Sequence, residues 1–208
     1  MARDETTGRR GDARLSLRSR PGDALLIIDV LNDLEFPGGE KILPWALKLA
    51  TRLAAFRAKA HRHGLPVIYA NDNFGFWHSN ADEVTAHATR PSARGREVGR
   101  RLQPGRRDYF ILKPRHSAFF ATSLIPLLED LGVKRLILAG IATNLCVLFT
   151  AHDAHMHGYP MLVLSDCCAA ESDFDHNFAL GQLQRFCAAR VCLGTEFGFT
   201  TLPTKQPH

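Results

Sequence analysis

Near-continuous apolar runs are the feature that most constrains the fold of this chain. The first covers residues 24–30, Ala-Leu-Leu-Ile-Ile-Asp-Val, and is typical of a strand buried on both faces of a parallel sheet. Similar runs predict further strands at residues 66–70, 108–112, 135–139, 160–165 and 191–193. Helical patterns lie between them, at residues 44–63, 97–102, 123–131, from Cys146 to about residue 157, and 173–190.

Strands that alternate with helices predict an α/β fold. We expect a single three-layer domain, in which a six-stranded parallel sheet joined by right-handed crossovers carries helices on both faces. A chain of 208 residues is long enough to bury one core of this kind. The domain is expected to cover residues 23–196, with a disordered polar tail at residues 1–22 and a second tail at residues 197–208.

Composition argues against several classes of partner. The net charge is +5, but its arginines cluster in residues 1–20 and 90–107 without interleaved aromatic residues, so we expect no nucleic-acid binding. A transit peptide is the alternative for the first cluster, and its acidic residues speak against that. No apolar run is long enough to span a membrane, and the five cysteines form no CxxC pair. We therefore expect a cytoplasmic protein with free thiols and no membrane partner.

Three chemically reactive residue types stand where strands of the predicted sheet end. Asp29 closes the first run, Lys113 follows the third, and Cys146 begins the helix after the fourth. In an open α/β sheet, ligands bind beyond the carboxyl ends of the strands. A turn aspartate, a lysine that reaches solvent and a buried cysteine are the structural alternatives. A thiol at the start of a helix is expected to have a lowered pKa and to act as a nucleophile.

Three segments resemble the isochorismatase-like cysteine hydrolases over residues 24–193. Leu-Ile-Ile-Asp supplies Asp29, Leu-Lys-Pro-Arg-His-Ser-Ala-Phe supplies Lys113, and Gly-Ile-Ala-Thr-Asn-Leu-Cys-Val supplies Cys146. The resemblance implies that these residues form a catalytic triad, and that the backbone N–H groups of Ala142 and Cys146 form an oxyanion hole. It also implies a sheet order of 3-2-1-4-5-6, a cis peptide between Ile141 and Ala142, and assembly into a homodimer or homotetramer.

The sequence also departs from the family's pattern. Family nicotinamidases bind a divalent metal through an Asp-x-His pair after the second strand, where this chain has Asn71 and Asn73. Amides are poor transition-metal ligands, so we expect no catalytic metal, no cofactor and a substrate other than nicotinamide. Leu31 stands where many members carry Gln.

Five residues are candidates for contact with a substrate. Asn71 and Asn73 either orient the substrate or the hydrolytic water, or serve only in a turn. Phe36, Trp77 and Phe119 are candidate apolar walls of the site, with ordinary core packing as the alternative.

These observations predict a cysteine amidohydrolase. Its partner would be a small amide, ureide or lactam, whose C–N bond it would cleave through a thioester without a metal. One alternative is vinyl ether hydrolysis of the isochorismatase type, which needs an acid but no thiol. The other is a binding protein that keeps the fold without turnover.

Overall fold

The structure of the chain is a computed structural model that describes residues 16–200. Six parallel strands form one sheet in the order β3-β2-β1-β4-β5-β6, which confirms the predicted order. The strands are β1 (Asp23–Ile28), β2 (Val67–Asp72), β3 (Tyr109–Lys113), β4 (Arg135–Ile141), β5 (Met161–Ala169) and β6 (Arg190–Cys192). β1 and β4, at the centre, are buried along their whole length, as expected for the apolar runs that follow Asp23 and Arg135 in their sequences.

Helices cover both faces of the sheet, so the predicted three-layer architecture is confirmed. They are α1 (Gly39–Arg62), α2 (Ala81–Thr89), α3 (Arg96–Arg101), α4 (Leu124–Asp130), α5 (Leu148–Met156) and α6 (Asp173–Phe186), and a π-helical turn at Thr143–Val147 precedes α5. Leu25 and Ile27 of β1 share a core with α1, α2 and α3. The alternate side chains of β1, among them Leu26 and Ile28, share the second core with α4, α5 and α6.

Several elements have other bounds than predicted. We placed the start of α1 at Pro44, but the helix begins at Gly39, where a Cβ atom would lie 2.0 Å from the carbonyl oxygen of Leu34. Helix α2 was not predicted, although Asn80 caps it by accepting hydrogen bonds from two backbone N–H groups. Strand β5 runs four residues beyond its predicted end at residue 165.

Both predicted tails are too long, because part of each packs onto the domain. Arg18 forms a parallel bridge with Gly198, and Ser19 exchanges hydrogen bonds with Thr200. Phe197 is buried in the core beside α1, which places residues 197–200 within the folded unit. Residues 1–15 and 201–208, the rest of the predicted tails, lie outside the described residues.

A buried ion pair holds the start of β1 against β4. Arg135 Nε and Nη2 donate to the Asp23 carboxylate at 2.8 and 2.7 Å, and both side chains are fully buried. Arg135 Nη1 and Nη2 also donate to the carbonyls of Ser16 and Arg18, which ties the segment before β1 to the sheet.

Within the described residues, no helix is long and apolar enough to cross a membrane.

Candidate active site

The carboxyl end of the sheet brings the three predicted reactive residues together. Asp29 directly follows β1 and has a left-handed backbone (φ 50°), a conformation that Asp tolerates better than most residues. Lys113 ends β3 and lies in register with Asp72 of β2. Cys146 lies in the π-helical turn after β4.

The central contact of the site is an ion pair that touches the thiol. Lys113 Nζ lies 2.7 Å from Asp29 Oδ2 and 3.7 Å from Cys146 Sγ. The Asp29 carboxylate also accepts hydrogen bonds from the Cys146 thiol and from the backbone N–H of Asp72, the latter at 2.7 Å. Lys113 is fully buried, and Asp29 and Cys146 are 5% and 8% exposed. The structure thus joins all three side chains in one almost fully buried cluster.

Burial controls the protonation of this cluster. It raises the pKa of the Cys146 thiol, and the charge of Asp29 raises it further. Burial also raises the pKa of the Asp29 carboxyl, against the opposing effect of the Lys113 ammonium. For Lys113, burial lowers the pKa, but the charges of Asp29 and Cys146 raise it above its ordinary value.

The expected low pKa of Cys146 is therefore wrong in this structure. A helix N-terminus favours a thiolate only modestly, whereas loss of water around a buried sulfur favours the neutral thiol more strongly. Because its pKa is raised, the thiol needs a base before it can act as a nucleophile, and Asp29 is the carboxyl in contact with it.

A cavity of about 470 Å³ opens above the cluster. Phe36 is one of its walls. Ala142 also lines it, and the peptide bond between Ile141 and Ala142 is cis. The Ala142 carbonyl accepts hydrogen bonds from the backbone N–H groups of Leu145 and Val147, so it points into the turn that carries the cysteine.

The two asparagines serve the loops rather than this cavity. Asn71 is buried, its Oδ1 accepts from the N–H of Leu31 at 3.1 Å, and its Nδ2 donates to the Leu31 carbonyl at 3.0 Å. Asn73 Oδ1 accepts from the N–H of Gly75, which makes the turn that was the alternative. Asn73 and Trp77 line a neighbouring cavity of about 410 Å³, and Trp77 is 75% exposed.

Phe119 is a core residue and not a wall of the cavity. Its ring packs against His157 and Tyr159, with centroids 5.2 and 6.1 Å apart, in the core beneath α4 and α5.

The residues at the family's metal position do not fit a metal ion. The side-chain oxygens of Asn71 and Asn73 already accept backbone hydrogen bonds, which leaves neither directed at a common ligand. Among residues 16–200, no group of three His, Cys, Asp or Glu side chains is arranged to hold a metal.

Three residues of the cavity were missed from the sequence. His116 Nδ1 lies 3.8 Å from Cys146 Sγ, Asp72 Oδ2 lies 3.8 Å from Lys113 Nζ, and Glu171 accepts a hydrogen bond from Asn144. All three follow or end strands at the same edge of the sheet, so the rule that selected Asp29 also applies to them.

Comparison with known proteins identifies a family for this chain. A family model described as the isochorismatase domain matches residues 23–194. The chain belongs to the isochorismatase family. The family protein YaaI of Bacillus subtilis (strain 168) is 36% identical over 173 residues, which cover 83% of this chain and 94% of YaaI.

Two further proteins that are similar to this chain carry functional names. Maleamate amidohydrolase of Pseudomonas putida is 32% identical over 178 residues, 80% of this chain and 79% of that protein. The crystal structure of N-carbamoylsarcosine amidase from Thermoplasma acidophilum superposes with a TM-score of 0.63 at 25% identity, covering 83% of this chain and 96% of that one.

Proposed function

We propose that this protein is a cysteine-dependent amidohydrolase that cleaves a C–N bond in a small amide, ureide or lactam through a thioester and without a metal. The observation that carries the proposal is the Asp29–Lys113 ion pair in direct contact with the Cys146 thiol at the base of a cavity. A base, a cation and a nucleophile are the groups that acyl transfer through sulfur requires.

In the first half of the reaction, Asp29 takes the thiol proton while Sγ attacks the substrate carbonyl. Lys113 keeps its positive charge because its pKa is raised, and it stabilises the developing thiolate. The carbonyl oxygen gains the electron pair and is held by the N–H groups of Ala142 and Cys146, each such donor being worth about 3 kcal/mol in barrier. When the C–N bond breaks, Asp29 returns its proton to the leaving nitrogen, which departs as ammonia or an amine.

In the second half, water hydrolyses the thioester. Asp29 removes a proton from water as the oxygen attacks the same carbonyl, and the oxyanion forms again at the same donors. The C–S bond then breaks, Cys146 regains its proton, and the acid product leaves.

The names of the relatives support this class of reaction. One is an amidohydrolase and the other an amidase, both hydrolases of carbon–nitrogen bonds other than peptide bonds. The expected homodimer or homotetramer stays a prediction.

The contacts of Cys146 weigh against both alternatives. Vinyl ether hydrolysis proceeds by protonation of the substrate and addition of water, and has no use for a thiol nucleophile. In a pure binding protein, a buried ion pair at the base of a cavity would cost desolvation energy and serve no reaction.

Ammonia release from a panel of small amides and ureides tests the proposal. Cys146→Ala should lower turnover by about 1,000-fold or more, whereas Cys187→Ala, at another buried cysteine, should leave it unchanged. Hydroxylamine should divert the acyl group of the parent enzyme to a hydroxamate. Full turnover by Cys146→Ala would disprove the thioester, and cleavage of a vinyl ether by that variant would favour the isochorismatase-type reaction.

A further inference from the structure

The cavity above Cys146 has an unusual number of acidic side chains in its walls. Five carboxylates line it: Asp29, Asp33, Glu35, Asp72 and Glu171. Three of them form ion pairs: Asp29 with Lys113 at 2.7 Å, Asp33 with Arg90 at 2.9 Å, and Glu35 with Arg94 at 3.4 Å. Asp33 also contacts His87 Nε2 at 2.9 Å. These three pairs bring no net charge to the cavity.

The other two carboxylates are not neutralised in this way. Glu171 accepts a hydrogen bond from the neutral amide of Asn144 at 3.2 Å, and within the described part of the chain it forms no ion pair. Asp72 lies 3.8 Å from Lys113, but that ammonium is already engaged by Asp29 at 2.7 Å. The cavity therefore has two carboxylates, Asp72 and Glu171, beyond those of the three ion pairs, and they give its walls an acidic excess.

Aromatic side chains complete the same walls. Phe36 and Phe74 both line the cavity. The face of an aromatic ring attracts organic cations, and this attraction adds to that of nearby carboxylates. Acidic groups alone would also suit a metal or bulk water, whereas carboxylates combined with aromatic walls suit an ammonium or guanidinium group.

We propose that the substrate is a cationic amide, whose positive group is attracted into the cavity by the carboxylates of Asp72 and Glu171 while its scissile carbonyl faces Cys146. The inference rests on the proposed amidohydrolase function and adds the charge of its substrate. Amides that carry a carboxylate are disfavoured, because the same walls repel it.

Arg115 provides the competing possibility. Its side chain lines the neighbouring cavity, which shares Asp72 and His116 with the first. The Arg115 guanidinium donates to the Pro114 carbonyl at 3.1 Å and forms no ion pair within residues 16–200. An anionic substrate would have to reach this group.

The charge preference can be measured on Cys146 without knowing the substrate. The probes are two methanethiosulfonates of similar length, the cationic 2-(trimethylammonio)ethyl and the anionic 2-sulfonatoethyl reagent, each of which forms a disulfide with the thiol and releases methanesulfinate. Cys146→Ala gives the background from other cysteines, and a neutral small thiol gives the intrinsic ratio of rates. The normalised preference for the cation should be about tenfold at low salt and should fall towards one at high salt.

Two matched variants locate the charge. Glu171→Gln keeps an acceptor for Asn144 and should reduce the preference about threefold. Glu97→Gln removes a carboxylate that is paired with Arg100 on α3, outside the cavity, and should leave the preference unchanged. A normalised ratio of one or below, or a ratio that Glu171→Gln does not alter, overturns the proposal. A preference for the anion that disappears in Arg115→Gln would assign the anionic class instead.

Turnover separates this inference from the proposed function. Release of ammonia is compared for 4-aminobutanamide, its neutral isostere pentanamide and the anion succinamate. The expected order is cation, then neutral, then anion. Hydrolysis that favours succinamate would support the amidohydrolase function and refute the cationic substrate. A cation preference of the thiol without hydrolysis of any amide would support the charge preference of the cavity and refute the amidohydrolase function.

Discussion

Replacing Lys113 with methionine should strongly destabilise the fold, because it leaves Asp29 buried without its partner. The two charges lie 2.7 Å apart, and with an effective dielectric constant of about 20 their attraction is about 6 kcal/mol. Part of this is offset, because the variant no longer pays to desolvate the ammonium. Loss of one partner from a buried pair costs about 3 to 5 kcal/mol, and we expect Lys113→Met to lose that much at pH 8.

The loss should depend on pH in a defined direction. Burial already raises the pKa of Asp29, and without the ammonium to oppose it the pKa rises further. A carboxyl whose pKa is higher in the folded than in the unfolded state destabilises the fold as the pH rises through the folded value. The deficit of Lys113→Met should therefore be greatest at pH 8 and should shrink as the pH falls towards the ordinary pKa of Asp, about 4.

Urea unfolding followed by circular dichroism at pH 5 and pH 8 measures both effects. The double variant Asp29→Asn with Lys113→Met carries no buried charge at this place and should be at least about 2 kcal/mol more stable at pH 8 than Lys113→Met alone. If the double variant were no more stable than Lys113→Met, or if the deficit grew at low pH, the account of a coupled buried pair would be refuted.

Three other variants test features that support the site, each by urea unfolding. Asn71→Ala should lower the free energy of unfolding by about 2 to 4 kcal/mol, because it leaves the N–H and the carbonyl of Leu31 buried without partners. Asn71→Asp should restore only the acceptor for the Leu31 N–H. Gly140→Ala should cost more than about 3 kcal/mol or prevent folding, since its Cβ would lie 2.1 Å from a backbone oxygen of β1 at a φ of +136°; near-parent stability would show that the strands can separate. Arg135→Met should cost about 3 to 5 kcal/mol, and adding Asp23→Asn should recover part of this if the pair is coupled.

Turnover should rise with pH through the raised pKa of Asp29. The base must be ionised to accept the thiol proton, so the acid limb of the kcat/KM profile should lie above the ordinary pKa of an aspartate. A profile that instead rises only near the ordinary pKa of a free thiol would show that Cys146 ionises without this base.

The residues whose positions could be predicted are those held by the sheet itself. Asp29 follows β1 and Lys113 ends β3, and the carboxyl ends of parallel strands lie at the same edge of a sheet whatever the loops do. The resemblance to the family then supplied the sheet order, in which β3 lies beside β2 and β4 lies beside β1. This order brings the ends of these four strands together.

The properties that the sequence could not predict depend on how the loops run or on how deeply a side chain is buried. Phe119 follows β3 closely enough to face the cavity, but its chain turns towards α5, and no periodic pattern records that turn. Asn71 was expected either to orient the substrate or the hydrolytic water or to serve only in a turn, and the structure shows its amide bonded to the backbone of Leu31. The pKa of Cys146 could not be foreseen from its place on a helix, because it depends on how much water the finished core excludes.

Because Lys113 lies on β3, the reactive cluster forms only when β3 pairs with β2 in the native register. β3 lies at one end of the sheet order, so its register is held by β2 alone, with Lys113 opposite Asp72. A slip of a single residue would turn the lysine to the other face of the sheet and carry its ammonium away from the thiol. A molecule in which β3 had paired one residue out of register would be nearly as compact as the native one, yet it would be inactive.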